Sequence, residues 1–154
     1  MTRIAVIADT HGLLRPEVAQ ALSGSPLIVH AGDVGTVSVL EALQAIAPTR
    51  AILGNVDGGE LLERLPRDDV VEVEGKRLYL LHDRGELDLD PSEQGAGFDA
   101  VITGHSHRPR EERIDGVLYL NPGSIGPRRF SLPISMAWLT LDAELAVEFQ
   151  TFEP

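Results

Sequence analysis

Side chains that can bind a divalent metal ion recur along this sequence, each directly after an apolar run that is typical of a buried strand. Asp9 and His11 follow the first such run, two positions apart, and His105 and His107 repeat that spacing. In an extended chain, residues i and i+2 point to the same side, so each pair could face one ion. The candidate metal ligands are Asp9, His11, Asp33, Asn55, His82, His105 and His107.

The types of these residues indicate which metal they would hold. Imidazoles mixed with carboxylates and an amide favour a borderline divalent metal such as Mn, Fe, Ni, Co or Zn, whereas carboxylates alone favour Mg or Ca. Seven ligands are too many for one ion. They suit two ions that share a bridging carboxylate, an arrangement used for in-line attack on phosphate esters.

Each motif taken alone also has a structural explanation. Asp-x-His occurs at polar strand ends, Gly-Asp and Gly-Asn occur in turns, and His82 could be a partly buried histidine with ordinary hydrogen bonds. The joint pattern favours a metal site, because successive strand ends supply the ligands and use four of the five histidines. We assign the fifth, His30, a structural role or a role in orienting the ligands from behind.

The elements that must position these residues can be predicted from apolar runs and breakers. The first part of the chain alternates strand and helix, which predicts parallel strands with crossover helices. Ligands of such sheets bind beyond the carboxyl ends of the strands. Gly32, Gly54 and Gly104 would let the backbone turn there and approach a bound group. The predicted strands are 3–8, 27–29 and 50–53. The predicted helices are 16–22 and a second one that is capped by Thr36 or Ser38 and runs through about Ile46.

The second part of the chain is richer in strands, which predicts two sheets rather than one. Residues 91–97 form either a short helix or an irregular turn. The last two strands could be sheet edges that pair between subunits, so a homo-oligomer is possible. The predicted elements are a hairpin of strands 70–74 and 77–81, followed by strands 99–103, 117–120, 134–141 and 144–152.

Composition limits the class of protein. A chain of 154 residues with 43% hydrophobic residues predicts a single domain, residues 1–154, with a real core. The formal net charge of −11 argues against long nucleic acid or an anionic membrane as a partner. It leaves a small phosphorylated substrate open, because a bound metal can invert the local field. The chain has no cysteine and no apolar stretch of secretory or transmembrane type, so we expect it to be cytoplasmic.

Several of these motifs together resemble the calcineurin-like metallophosphoesterases. The short length is similar to the small phosphodiesterase branch, which is related to the retromer subunit of the same fold. The resemblance implies an α/β fold, a four-layer α-β-β-α sandwich of two mixed sheets. The matching stretches lie between residues 8 and 124, in the family's order: ADTHG, HAGD, LGNVD, LLH, TGHSH and NPGS.

The resemblance also implies roles for the candidate ligands. It implies two divalent metal ions, most often Mn, and attack on phosphorus by a hydroxide that they hold. Asp33 matches the bridging carboxylate, Asn55 also matches a residue that touches the phosphate, and these two with His105 form the implied catalytic set. Asp9, His11 and His107 match the ligands of the first ion, and Asn55, His82 and His105 match those of the second.

The sequence departs from the family at two positions. Val56 stands where many members have a histidine that assists the leaving group, or a cysteine in the small branch. General acid catalysis contributes about 10²–10⁴-fold, so Val56 predicts a weak enzyme or one that prefers good leaving groups. Asp83 stands where members often have glycine. It would either hydrogen-bond to His82 or alter the loop.

Three arginines could hold the substrate phosphate, since guanidinium groups match its geometry. Arg108 follows His107, and Arg128 and Arg129 follow the NPGS motif. We place Arg108 and Arg128 first, and a solvated surface position is the alternative for each. The favoured function is hydrolysis of small phosphodiesters. The alternatives are a scaffold that keeps the fold without catalysis, which Val56 favours, and a phosphomonoesterase.

Overall fold

The computed structural model describes residues 2–154 and contains two mixed β-sheets that pack face to face. The prediction of two sheets is therefore confirmed. In the first sheet, the three strands from the alternating part of the chain are parallel, and the two C-terminal strands are antiparallel to them and to each other. This sheet has the order β10-β9-β1-β2-β3, with β1 Thr2–Ile7, β2 Ile28–His30, β3 Thr49–Ala51, β9 Ile134–Leu141 and β10 Ala146–Phe152.

The second sheet contains the predicted hairpin and one strand that the sequence did not reveal. The strand β7, Arg110–Ile114, reads REERI and has a single apolar residue, so it shows no hydrophobic alternation. It lies at a sheet edge, where charged side chains discourage pairing with other chains. The order is β4-β5-β6-β8-β7, with β4 Asp68–Val73, β5 Lys76–Leu81, β6 Ala100–Ile102 and β8 Val117–Asn121.

Short helices cover the outer face of the first sheet. The helix α1 spans Pro16–Leu22, as predicted, with proline in its first turn. The helix α2 spans Val37–Ile46, and Thr36 is its cap, because the Thr36 hydroxyl accepts the Val39 N–H at 3.2 Å. A third helix, α3 at Leu61–Arg64, is too short to show a periodic pattern. Across residues 2–154, no helix has the length and apolarity to cross a bilayer.

The outer face of the second sheet is covered by an irregular segment. A 3₁₀ turn at Arg84–Glu86 begins it, and residues 91–97 form turns rather than a helix. The Phe98 ring stacks on Tyr79 of β5 with ring centroids 4.9 Å apart. The predicted fold class is confirmed. The outer layer on the second sheet is built from loop rather than helix, because its sequence has turn residues instead of a helical pattern.

The main core lies between the two sheets. Side chains on β1 alternate: Ile4 and Val6 face the second sheet, while Ala5 and Ile7 face the helices. Leu80 on β5 is fully buried in the inter-sheet layer. Burial on both faces explains why the central strands are continuous apolar runs.

One expectation about sheet edges was wrong. Residues 134–141 form β9, which pairs with β1 on one side and β10 on the other. It therefore has no free edge for another subunit. Only β10 of this pair lies at the edge of its sheet.

Replacing Leu80 by Ala tests the inter-sheet core. We expect the free energy of unfolding to fall by roughly 2–5 kcal/mol, because the change removes buried methyl groups and leaves a cavity. Urea denaturation in EDTA, followed by far-ultraviolet circular dichroism, measures the loss.

The matched control is Leu62→Ala on α3, since Leu62 is 53% exposed. We expect a change within about 0.5 kcal/mol there. Equal losses at the two positions would contradict the assignment of the inter-sheet layer as the main core.

Candidate metal centre

Strand ends from both sheets meet at one edge of the sandwich. Within the first sheet, the Asp9 N–H after β1 donates to Gly32 O after β2 at 3.0 Å. Within the second sheet, the Gly104 N–H after β6 donates to His82 O after β5 at 2.9 Å. His82 Nδ1 then bridges the sheets, 2.8 Å from Ala31 O. The candidate ligands are thereby brought from distant parts of the chain to one place.

A first group of potential ligand atoms comes from Asp9, His11 and His107, whose donor atoms lie within 4.8 Å of one another. The Nε2 atoms of both histidines are 3.8 Å from Asp9 Oδ1. Their ring centroids are 5.3 Å apart. These are the three residues that the family resemblance implies as the ligands of the first ion.

A second group comes from Asp9, Asp33 and His82. His82 Nε2 lies 3.2 Å from Asp33 Oδ2 and 3.9 Å from Asp9 Oδ1. Asp33 Oδ2 is also 3.5 Å from His11 Nε2, so this carboxylate faces histidines of both groups. Asp9 contributes to both groups as well, which the sequence did not indicate.

The remaining candidate ligands lie at the rim. The His105 side chain is 48% exposed, and its Nε2 is 3.9 Å from Asp83 Oδ2. Its ring meets the His82 ring edge-on at 5.3 Å. Asn55 is exposed and lines one pocket together with His82. The structure places both residues next to the second group without bringing their side chains into its tight cluster.

The buried ligand atoms lack partners, and this tests whether the residues fit metal ions. Buried polar atoms in proteins nearly always make a hydrogen bond. The exceptions among the side chains of residues 2–154 are Asp9 Oδ1, Asp9 Oδ2, His11 Nε2, His82 Nε2 and His107 Nδ1. All of them belong to candidate ligands of the two groups. Divalent cations would satisfy the two Asp9 oxygens and the Nε2 atoms of His11 and His82, so the donor set fits such ions.

The backbone at these positions differs from what the sequence suggested. We expected the side chains of Asp9 and His11 to point to one side, and likewise those of His105 and His107, because an extended chain has this property. That reason was wrong, because the backbone is left-handed at these ligands. The positive φ values are 59° at Asp9, 48° at His11, 59° at Asp33, 72° at His105 and 63° at His107. Such conformations cost about 1–3 kcal/mol each outside glycine and concentrate at functional sites.

The glycines of the site contact the ligands themselves, rather than only a bound group as expected. A Cβ on Gly32 would lie 2.6 Å from His82 Nδ1. A Cβ on Gly104 would lie 2.9 Å from Ala8 Cβ and 3.1 Å from Asp9 Oδ2. Glycine is needed here because strand ends of the two sheets approach too closely for a side chain.

Asp57 holds the ligand loops together and was not singled out from the sequence. Its buried carboxylate accepts N–H groups from Val34 at 3.1 Å, Gly35 at 2.8 Å and Gly54 at 2.8 Å. The loops after β2 and β3 are thus joined through one side chain. Its place in the LGNVD stretch was the only signal that could have found it.

His30 and Asn121 orient the ligand loops from behind. His30 Nδ1 accepts the Gly32 N–H at 3.1 Å, so its Nε2 carries the proton and faces Thr10 Oγ1 at 3.0 Å. Complete burial lowers the His30 pKa to about 4, which keeps this ring neutral. Asn121, from the NPGS stretch, donates to Gly104 O at 2.9 Å and to Ser106 Oγ at 3.0 Å. It therefore fixes the loop that carries His105 and His107.

Comparison with known families identifies the chain. The family described as the calcineurin-like phosphoesterase superfamily domain matches residues 2–144. The chain belongs to the calcineurin-like phosphoesterase superfamily. A probable metallophosphoesterase of Methanothermobacter thermautotrophicus is 35% identical over an alignment of 153 residues. The alignment covers 92% of this chain and 87% of that protein. The superfamily uses divalent metals, in agreement with the two ligand groups.

Solved structures share the phosphoesterase fold. An archaeal phosphodiesterase superposes with a TM-score of 0.81 and 21% identity, covering 98% of this chain and 100% of that one. Vps29 of Chaetomium thermophilum superposes with a TM-score of 0.78 and 17% identity, covering 99% and 98%. These similarities confirm the fold that the sequence predicted.

Burial sets the protonation of the ligands in this phosphoesterase. It raises the Asp9 pKa to about 7 from its ordinary 3.8, despite the nearby His82. It lowers the His107 pKa to about 4, with Arg129 adding to the effect. For Asp33, burial opposes ionisation, but His82 and the Val56 N–H outweigh it and hold the pKa well below its usual range. Asp33 is therefore ready to bind a cation at neutral pH.

The arginines of the phosphoesterase differ in their relation to the site. The charge of Arg129 acts on the ligands. It partly opposes the rise of the Asp9 pKa and adds to the lowering of the His107 pKa. Arg128 instead donates its Nε to Leu132 O at 3.4 Å, and Arg108 is exposed. This electrostatic effect on Asp9 and His107 favours Arg129, itself exposed, over the two arginines that the sequence placed first.

Asp83 alters the loop rather than holding His82. Its Oδ1 accepts the Gly85 N–H at 2.9 Å and caps the 3₁₀ turn at Arg84–Glu86. Among the hydrogen bonds of residues 2–154, none joins Asp83 to His82. The structure therefore supports a role of Asp83 in shaping the loop, and not a hydrogen bond to His82.

Replacing Asp9 by Asn tests the buried carboxylate in metal-free protein. Because the folded-state pKa of Asp9 is raised from 3.8 to about 7, its favourable contribution is complete below the lower value and is lost as pH rises through the higher one. Between pH 5.5 and 8, the wild-type protein should lose about 2 kcal/mol of stability relative to Asp9→Asn. Urea unfolding in EDTA at both pH values measures this difference.

The control is Asp142→Asn, because Asp142 is exposed on a turn. Its stability should follow that of the wild type at both pH values. Parallel pH dependence in wild type and Asp9→Asn would contradict an unpartnered carboxylate at Asp9. Asn tolerates the left-handed backbone of this position, so the substitution leaves the loop intact.

Proposed function

We propose that this protein is a metal-dependent phosphodiesterase that hydrolyses small phosphodiesters at a two-metal centre. The observation that carries the proposal is the set of buried, unpartnered ligand atoms on two groups of side chains. Asp33 faces histidines of both groups, at 3.5 Å from His11 and 3.2 Å from His82. A bridging carboxylate between two ions requires such a position.

The proposed ligands of the first ion are the first group, and those of the second ion combine His82 of the second group with two residues at the rim. One ion would be held by Asp9, His11 and His107, the other by Asn55, His82 and His105, with Asp33 shared. Imidazole with carboxylate suits Mn best in this proposal, with Ni, Fe, Co or Zn as alternatives. When bound, such ions supply a water of lowered pKa as nucleophile and neutralise charge on the phosphoryl oxygens.

The side chains of this protein prepare the reaction around that chemistry. Asp33 remains ionised, and its Oδ1 is fixed by the Val56 N–H at 3.0 Å. Asn55 and His105 are exposed at the rim, where they can contact the phosphate of a substrate. The positive charge of Arg129 acts on both Asp9 and His107. We assign Arg129 to the phosphate, beside the weaker candidates Arg108 and Arg128.

Val56 determines which leaving groups can depart. Its side chain is 54% exposed directly after Asn55 and carries no proton to donate. The leaving alcohol must therefore depart as an anion or take its proton from water, which favours acidic alcohols. Val56 also supports the second candidate, a scaffold of the same fold. A phosphomonoesterase is a third alternative, which Val56 does not favour.

Replacing Asp33 by Asn tests the two-metal proposal. With Mn²⁺, we expect the wild type to hydrolyse bis(p-nitrophenyl) phosphate faster than p-nitrophenyl phosphate, and Asp33→Asn to lose about 10³-fold in diester turnover. Asn tolerates the positive φ of 59° at this position, so folding should be retained. Absorbance of p-nitrophenolate measures the rates, and elemental analysis counts the bound metal.

The matched control is Asp69→Asn, because Asp69 pairs with Arg50 on the surface at 2.7 Å. Its turnover should equal that of the wild type. Diester turnover absent with Mn, Ni, Fe, Co and Zn would refute the phosphodiesterase and favour a scaffold. Faster monoester hydrolysis would favour the phosphomonoesterase.

Replacing Val56 by His tests the leaving-group argument. We expect turnover of diphenyl phosphate to rise about 10–10²-fold. Its phenolate is a poor leaving group, and the imidazole can donate a proton to it. Turnover of bis(p-nitrophenyl) phosphate should change little, since its leaving group needs no acid. The ratio of the two rates is the measured quantity.

Val56→Leu is the control for this substitution and should leave the ratio unchanged. The contact with Asp33 uses the Val56 backbone N–H, so both variants keep it. An equal gain on both substrates in Val56→His would argue that the histidine acts on metal binding instead.

A further inference from the structure

The two histidines proposed for the second ion differ in which ring nitrogen faces an oxygen of the protein. His82 Nδ1 lies 2.8 Å from Ala31 O, which leaves His82 Nε2 buried and without a partner. His105 shows the opposite arrangement, because its Nε2 faces Asp83 Oδ2 at 3.9 Å. The two rings meet edge-on, with their centroids 5.3 Å apart. One ring therefore has Nε2 left for an ion, and the other has Nδ1.

The Asp83 carboxylate is held in an orientation that lets it act on His105. Its Oδ1 accepts the Gly85 N–H at 2.9 Å, while its Oδ2 is the oxygen that faces the histidine. The backbone at Asp83 is extended, with φ −113° and ψ 117°, so this position suits any residue. Within residues 2–154, no other carboxylate lies within 4.0 Å of a His105 ring nitrogen.

Both sides of this contact are attached to the strand β8. Arg84, which follows the carboxylate in the chain, places its guanidinium carbon 4.3 Å from the centroid of the Tyr119 ring. Asn121, the last residue of β8, donates to Ser106 Oγ at 3.0 Å, directly after His105. The separation of the two side chains is therefore set by one strand, and not by two independent loops.

The contact matters because His105 lies at the rim of the site. Its side chain is 48% exposed, whereas that of His82 is 6% exposed and is fixed by a backbone carbonyl. An exposed ring without a partner keeps rotamer freedom that it must lose when it binds an ion. A carboxylate that already faces one nitrogen reduces this loss.

We propose that Asp83 is a positioning residue for the second metal ion, which holds the His105 ring through Nε2 and so presents Nδ1 to the ion. The inference rests on the proposed two-metal centre and adds a residue to it. Histidines that bind metals usually donate their other ring N–H to an oxygen, which fixes the tautomer and raises the basicity of the ligand. The present 3.9 Å exceeds a hydrogen bond, so we expect it to shorten when an ion binds.

Replacing Asp83 by Ser tests this role. Serine can still cap the turn at Gly85, but its side chain is too short to reach His105. We expect the affinity for the second Mn²⁺ to fall about 10–100-fold, and the affinity for the first to stay unchanged. Isothermal titration calorimetry of metal-free protein with Mn²⁺ measures both steps without any substrate.

Asp83→Asn is the conservative variant. Its amide oxygen can accept the same N–H groups, so the second affinity should stay within about 3-fold of the wild type despite the lost charge. The matched control is Asp90→Ser. Asp90 is exposed, and its Oδ1 accepts the Ser92 N–H at 2.9 Å, which is the same local turn. It forms no ion pair within residues 2–154, so both affinities should equal those of the wild type.

The tautomer of His105 gives an independent readout that a purely structural role would not fix. Long-range ¹H–¹⁵N NMR of the zinc-loaded protein distinguishes a nitrogen that binds metal from one that carries a proton, and His105→Gln identifies the ring signals. We expect metal at Nδ1 and a proton at Nε2 in the wild type. Metal at His105 Nε2 would overturn the proposal.

The two proposals fail in different ways. If the wild type binds only one ion with every metal tried, the two-metal centre fails and the role of Asp83 fails with it. If two ions bind and Asp83→Ser holds the second as tightly as the wild type, the two-metal centre stands and the role of Asp83 is overturned. Equal losses in Asp83→Ser and Asp83→Asn would also overturn it, because charge rather than orientation would then be responsible.

Discussion

The structure depends on holding the carboxylate oxygens of Asp9 and one nitrogen on each of three imidazoles, those of His11, His82 and His107, buried without hydrogen-bond partners. Asp9 is fully buried and shared by both ligand groups. An unpaired buried charge is among the most destabilising features a fold can contain, unless a cation compensates it. The raised pKa of Asp9 reflects this cost of burying its negative charge when no metal is bound. Much of the surrounding architecture serves to hold these atoms in place.

Two sheets are needed because neither one supplies a complete set. The first sheet delivers Asp9, His11 and Asp33, and the second delivers His82 and His107. Their packed inner faces fix the relative positions of the strand ends. The loops that follow turn sharply through left-handed conformations, and Asp57, His30 and Asn121 supply the hydrogen bonds that stabilise them. The strain in the loops is thus offset by partners behind the ligands.

Charge also shapes the surroundings of the site. The charge of Arg129 acts on Asp9 and His107, and several acidic side chains line a pocket that also contains His82. The formal net charge of −11 makes the whole chain unfavourable for polyanions. Under the proposed function, the bound metal ions would attract the single phosphate of a small substrate, whereas the net negative charge would repel long anionic chains. In the proposed reaction, Val56 adds a chemical restriction, because its side chain cannot donate a proton to the departing alcohol.

The sequence alone determined the fold class, the two sheets and the seven candidate ligands, because buried strands are apolar runs and each ligand follows one directly. It did not reveal β7, whose charged residues show no alternation. Only the tertiary structure decided that Asp9 is shared by both ligand groups and that Asp57 joins the loops. It also decided that Arg129, rather than Arg128, acts on the pKa values of Asp9 and His107. It also replaced the expected extended ligand pairs by left-handed turns. These features arise from contacts between residues far apart in the chain, which spacing along the sequence cannot express.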